Sequence, residues 1–379
     1  MTPPSDPVAA ATHADPYPYY AELVARRAFA RDERLGLWVA AGADAVTAVL
    51  AHPACRVRPA AEPVPAAIAG TAAGDIFGAM VRFNDGARHG PLKAAVGTVV
   101  EALDPPRLRT LSRETARALA RELRPQDDPS ALDAYARRLA PSVIGALLGA
   151  PAAALADVAR SAGEFVAATT PGATSDVVAR GAAAATELQA LGHTLIAGDG
   201  LVAALARRAP AGDQDRVVAN ALGFLWQAYD ATAALVGNTL LALARTPALH
   251  DAKDMLPITV EVARHDAPVQ NTRRFVEGDA RVAGVDVKRG ETILVLLAAA
   301  NRDPAANPEP ARFDAARTTP RTFTFGHGPH ACPGAIVATT IASAGVEALL
   351  AAGVEPVARA AGARYRPSAN IRLPLFAPA

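Results

Sequence analysis

The chain has 379 residues, of which 51% are hydrophobic and 20% charged, a balance that excludes intrinsic disorder and leaves room for a large core. With 38 basic and 37 acidic residues the formal net charge is +1, so no global field draws the chain to nucleic acid or to an anionic membrane. Two cysteines far apart in sequence, Cys55 and Cys332, exclude a disulfide framework and suit a reducing, cytoplasmic compartment.

The first residues, MTPPSDPVAAATHADPYPYY, show no basic-then-apolar leader and no long apolar span, so a soluble protein without a membrane anchor is expected. GLWVAAG at 36–42 reads as a short strand. Apolar residues at helical spacing between Pro or Gly stops predict helices over 43–52, 104–124, 131–149 and 177–198. PAGDQD at 210–215 is a loop before the longest apolar run, a helix over roughly 215–246. At 1.5 Å per residue that helix is about 45 Å long, enough to cross a domain. Asp230 is its only charge between Arg216 and Arg245. A buried carboxylate is costly unless paired or used, so Asp230 is either tied to a distant Arg or chemically employed. Alternation and β-branched residues over 281–299 predict a hairpin turned at Lys288-Arg289-Gly290. No fixed-period repeat or low-complexity linker divides the chain, and a single domain over 1–379 is expected.

Residues 323–335, FTFGHGPHACPGA, form the most informative segment. Gly326 and Gly328 permit backbone conformations that a tight loop needs, and Pro329 stiffens it. Pro333 is suited to a first helical position, which puts Cys332 just before the helix AIVATTIASAGVEALLAAG. A helix N-terminus favours a thiolate, and a thiolate in a glycine-shaped loop is a plausible metal ligand. A zinc site from His327, His330 and Cys332 is poorly spaced and has no second cluster to complete it. An ordinary buried cysteine at a helix start is the other reading of Cys332 alone.

The whole loop resembles the haem-binding signature of the cytochromes P-450, Phe-Gly-x-Gly-x-His-x-Cys-x-Gly, in Phe325, Gly326, Gly328, His330, Cys332 and Gly334. Other segments resemble the family in order. EVAR at 261–264 matches its Glu-x-x-Arg pair, with Glu261 and Arg264 on one helix face in a structural role. APVQNTRRF brings Arg274 to the propionate-binding position, and NDGARHGPLK brings His89 and Lys93 to those of a His-x-x-x-Arg pair. Lys93 keeps the charge there but loses bidentate geometry. ANRDP at 300–304 and ARFD at 311–314 also fit. The resemblance implies a mainly α, triangular P-450 fold with a small β-rich lobe. It also implies haem b between the long helix and the Cys332 loop, with His89, Lys93, Arg274 and His330 neutralising the propionates.

On the opposite side of the haem the chain departs from the family, which carries Ala/Gly-Gly-x-Asp/Glu-Thr on the long helix. Aligned on GNTLLALARTP at 237–247, the segment reads Gln227-Ala228-Tyr229-Asp230-Ala231. Ala228 then lies against the haem and Asp230 fills the acid position, while Ala231 replaces the Thr. Ordered water, Thr232, Tyr229 or a substrate group must then supply the missing donor, and Gln227 adds polar bulk. By family position the substrate pocket draws on the region from about 62 to 85, including Phe77, Met80 and Val81, on Trp226 with Gln227, on Val269, Gln270 and Asn271, and on Ser368 to Asn370 around Ala369. No charge cluster in the sequence selects a carboxylate or phosphate substrate.

Three functions follow from the resemblance. The first is a monooxygenase, its thiolate favouring O–O cleavage, that hydroxylates a small secondary-metabolite-like molecule. With no flavin or nicotinamide fingerprint, its electrons come from a separate ferredoxin and ferredoxin reductase. The second is a haem-thiolate enzyme that cyclises, couples or uses peroxide, as Ala231 suggests. The third is a catalytically silent haem module for sensing or recruitment. A monomer is the family's default.

Overall fold

The computed structural model describes residues 2–210, 212–250 and 252–377. Its helices begin with α1 (Tyr17–Arg26), α2 (Ala43–Ala51), α3 (Ala72–Ala79), α4 (Gly90–Glu101), α5 (Pro105–Leu123), α6 (Pro129–Leu148), α7 (Leu155–Ala168) and α8 (Ser175–Leu195). They continue with α9 (Leu201–Ala206), α10 (Gln214–Arg245), α11 (Leu256–His265), α12 (Leu297–Asn301), α13 (Ala335–Ala351) and α14 (Pro356–Ala360). The helix starts have local causes. Asp104 and Asp128 accept the backbone N–H of Arg107 at 3.1 Å and of Ser130 at 2.9 Å, and each precedes a proline at the first helical position. Thr174 caps α8 in the same way, by accepting from the N–H of Val177. Its far end stops at Leu195 rather than 198, because Ile196 N–H turns back to the carbonyl of His193.

The long helix α10 is the axis of the core. It packs against α3, α6, α7, α8, α11 and α13, and Val217–Leu225 and Thr232–Leu243 supply most of its buried residues. Only the stretch between them, from Trp226 to Ala231, is uniformly half-open. Among the described residues no helix is long and apolar enough to cross a membrane.

A five-stranded sheet forms beside the helices in the order β1 (Phe29–Asp32), β2 (Leu37–Ala40), β7 (Thr292–Val295), β4 (Thr272–Val276), β3 (Cys55–Arg56). Two further pairs join β5 (Ala280–Val282) to β6 (Val285–Val287) and β8 (Arg364–Tyr365) to β9 (Pro374–Leu375). This corrects the expected hairpin. Its turn lies at Ala283 and Gly284, both at positive φ, and joins β5 to β6. The Lys288-Arg289-Gly290 turn instead leads out to β7, which runs parallel to β2 and antiparallel to β4. The buried run Ile293–Val295 is the reason: a strand covered on both faces belongs in the centre of a sheet, not in an exposed hairpin.

Glu261 and Arg264 form a buried pair on α11, with Arg264 Nε 2.8 Å from Glu261 Oε2. Arg264 also donates to the carbonyls of Asn301, Pro310 and Arg312, and Glu261 accepts from the N–H of Asp314. The pair thus ties α11 to the irregular chain that leads to Cys332.

Candidate active site

The Cys332 loop is anchored before it turns. Asn301 accepts from Phe323 N–H at 2.6 Å and donates to Thr324 Oγ1 at 2.8 Å, and Thr324 in turn donates to the carbonyl of Ala263. Gly326 and Gly328 then adopt φ of +73° and +67°, where a side chain is strained. At Gly328 a Cβ would also come within 3.1 Å of the carbonyl oxygen of Leu50. Cys332 N–H donates to Phe325 O at 2.7 Å, closing the loop beneath its exposed thiol. Helix α13 begins only at Ala335, with Gly334 as its cap. Pro333 is therefore not its first residue, and Cys332 stands two residues ahead of the cap. Gly334 at φ −90°, ψ 15° breaks the helical path that Pro333 was expected to open.

Beside the thiol lies a group of nitrogen donors. The His89 and His330 rings are 4.2 Å apart, and His330 Nε2 meets Asp85 Oδ1 at 2.9 Å. Burial holds His89 down at about 4, helped by the charges of His330 and Lys93, so this imidazole is neutral at pH 7 and acts as a hydrogen-bonding group. Arg274 points inward from β4, and burial, then Arg82, lowers it to about 10, so it stays charged. Lys93 Nζ donates to the carbonyl of Ala331 at 2.6 Å, next to Cys332. Among the described residues, three buried nitrogens, His89 Nε2, His330 Nδ1 and Arg274 Nε, have no hydrogen-bond partner. Buried polar atoms left unpaired are rare and costly, so they suit a polar group bound against them. Among the described residues no three His, Cys, Asp or Glu side chains gather as a metal shell, and the zinc alternative has no site.

Across the slot, the distal residues of α10 diverge. Asp230 Oδ2 is 2.5 Å from Arg366 Nη2, just beyond β8, and Asp230 Oδ1 is buried without a partner. Tyr229 lies against Gly163 of α7, where a Cβ would come within 2.6 Å of its hydroxyl. Gln227 Nε2 folds back onto the carbonyl of Gly223 at 2.9 Å, and Thr232 is buried in the helix packing. Ala228 and Ala231 remain half-open. Above them Phe77 stacks on Phe83 with centroids 3.9 Å apart, Trp226 meets Phe83 edge-on at 5.6 Å, and Met80 packs at Gly223. Val81 is buried beside its backbone tie to Asn220. The β4 approach is mixed. Gln270 turns into the core towards Tyr20 and the carbonyl of Ala267, not into a pocket. Asn271 holds the carbonyl of Ala369, and Val269 bridges to Ile371.

The profile of the family described as Cytochrome P450 matches residues 258–352. A putative cytochrome P450 140 of Mycobacterium tuberculosis is 38% identical over 193 residues, 47% of this chain and 43% of that protein. The biotin biosynthesis cytochrome P450 of Bacillus subtilis is 34% identical over 127 residues, 32% of each chain. The chain therefore matches less than half the length of these curated relatives. The crystal structure of CalO2 extends the likeness over the whole fold, at 27% identity, a TM-score of 0.81, and coverage of 98% of this chain and 97% of that one. The chain thus matches the cytochrome P450 family over residues 258–352 and shares the cytochrome P450 fold throughout.

Members of that family bind haem b through a cysteine thiolate, and the residues of this chain fit that group. Cys332 offers an accessible thiol, while the three unpartnered nitrogens and Lys93 suit two propionates. Of the site residues, Arg82, Phe83 and Asp85 fell inside the 62–85 region expected to line the pocket but were not singled out, and Arg366 escaped sequence reasoning. Asp85 was within reach, four residues before His89 in a segment already singled out. Arg366 carried no signal, since its partner Asp230 lies on another element far along the chain.

Proposed function

We propose that this P450 is a monooxygenase that inserts oxygen from O2 into a small organic molecule, with electrons delivered by a separate ferredoxin and ferredoxin reductase in the cytoplasm. The observation that carries this reading is the Cys332 loop, its accessible thiol flanked by the unpartnered donors His89, His330 and Arg274. When bound, the haem supplies the O2-activating iron, and thiolate ligation favours O–O cleavage. The chain's own residues do the rest. Cys332 would ligate the iron, and His89, His330, Arg274 and Lys93 would hold the propionates. Asp230, kept in place by Arg366, relays protons from the protein towards the distal side. Phe77, Phe83 and Trp226 form an apolar ceiling that orients substrate and excludes water.

Ala231 supports a second reading. It cannot donate a hydrogen bond, so proton delivery depends on water or on the substrate, and cyclisation, coupling or peroxide-driven oxidation becomes the favoured outcome. The test is turnover of the haem-loaded protein with a ferredoxin, its reductase and NADPH under ¹⁸O2, across a panel of secondary-metabolite precursors. Label in the product supports monooxygenation. Product formed without label supports the second reading, and no product from any bound ligand supports a silent haem module.

A further inference from the structure

Arg82 is a cation that neither the haem nor the protein accounts for. It follows the short turn Val81–Phe83, and its guanidinium lies 5.0 Å from the Phe83 ring centroid and 5.5 Å from that of Trp226. Its surface is open, yet burial lowers its pKa, and it feels the charge of Cys332 and acts on those of Lys93 and Arg274. Trp226 stands at the start of the half-open stretch of α10 and Phe83 stacks on Phe77, so the guanidinium lies at an aromatic cluster beside that stretch.

No carboxylate among the described residues forms an ion pair with it. Asp85, the nearest acid in sequence, is engaged by His330 Nε2 and by the backbone N–H of Val57 at 3.1 Å. The donors for two propionates are already present in His89, His330, Arg274 and Lys93. The rings of Phe83 and Trp226 take the guanidinium near them, and its edge N–H groups remain for a planar, bidentate acceptor. One such fork matches a single carboxylate in both geometry and charge.

We propose that the distal chamber selects substrates with a free carboxylate on an apolar or aromatic body, and that Arg82 anchors that carboxylate against Phe83 and Trp226. This rests on the haem-thiolate reading above and adds the substrate class to it. It also distinguishes the free acid from an ester or thioester, which carries no charge for Arg82 to hold.

The test is an optical titration of the ferric, haem-loaded protein with dodecanoic acid, 4-phenylbutanoic acid and their methyl esters. Each ligand is followed by the low-to-high-spin shift, in the wild type and in Arg82→Gln and Arg82→Lys. The acids should bind the wild type at least about tenfold more tightly than their esters, as expected for a charge-assisted hydrogen bond in a dry site. Arg82→Gln should erase that preference and Arg82→Lys keep part of it, with haem content and the ferrous-carbonyl thiolate band unchanged in both. Equal binding of acid and ester, or no binding of either acid, overturns the proposal. Loss of haem from Arg82→Gln also overturns it, by making Arg82 a propionate ligand. A wild-type protein without a thiolate band refutes the underlying haem-thiolate reading, and the proposal with it.

Discussion

Replacing Glu261 by Gln should destabilise the protein far more than its small change in shape suggests. The Arg264 side chain is 0% exposed and that of Glu261 2%. Glu261→Gln leaves the guanidinium hydrogen-bonded to three carbonyls but without a buried counter-charge, which costs about 3–5 kcal/mol. Arg264→Met should cost at least as much, since it also strips a donor from the carbonyls of Asn301, Pro310 and Arg312. Each buried acceptor left unsatisfied adds about 1–3 kcal/mol. The double variant should be less destabilised than the sum of the two, because neither charge is then stranded. Urea unfolding of the haem-loaded proteins, followed by far-UV circular dichroism and by the Soret band, measures all three. Haem should be lost together with the fold, since the pair braces the chain that leads into the Cys332 loop. A cost below about 1 kcal/mol for either single variant, or strict additivity in the double, would refute the reasoning.

Three further outcomes are expected. Arg366→Gln should keep haem content but slow turnover by roughly tenfold or more, with an altered pH profile and solvent isotope effect, because Asp230 loses the cation that positions it; unchanged profiles would leave Arg366 a purely structural role. Ala231→Thr should raise hydroxylated product at the expense of any cyclised or coupled one, and an unchanged product distribution would count against the non-hydroxylating reading. Burial, reinforced by Arg302, holds His265 at about 4, below the ordinary 6.5, so between those values the unfolded chain takes up a proton that the folded chain refuses. Stability should therefore fall as pH drops from about 6.5 to about 4, and His265→Phe should flatten that slope in denaturation curves measured across the range.

The parts of the molecule legible in the sequence are those specified locally. Helices α5, α6 and α8 announce themselves by apolar spacing and by Asp or Thr caps, and the Cys332 loop by glycines whose positive φ no other residue adopts at ease. What stayed hidden depends on pairing between distant segments. The sequence offered Lys288-Arg289-Gly290 as the turn, and only the pairing of β5 with β6 and the partners of β7 show that Ala283-Gly284 closes the hairpin. Arg82 reads as an ordinary surface arginine between Val81 and Phe83 until α10 brings Trp226 beneath it. Asp230 was readable as a carboxylate in need of a partner, but nothing in the sequence named Arg366. Gln270 showed the converse error: its family position suggested a pocket, whereas Tyr20 and Ala267 draw its amide into the core.

The most direct test of the haem-thiolate account is the ferrous-carbonyl spectrum of the reconstituted protein, compared with Cys332→His and Cys55→Ala. Cys55 is the control, a buried thiol that burial pushes up to about 11 and that sits on β3 opposite Val276 of β4. The account predicts a thiolate-type band in the wild type and in Cys55→Ala, and its loss in Cys332→His. A wild-type spectrum of the imidazole type, or a thiolate band that survives in Cys332→His, would contradict it.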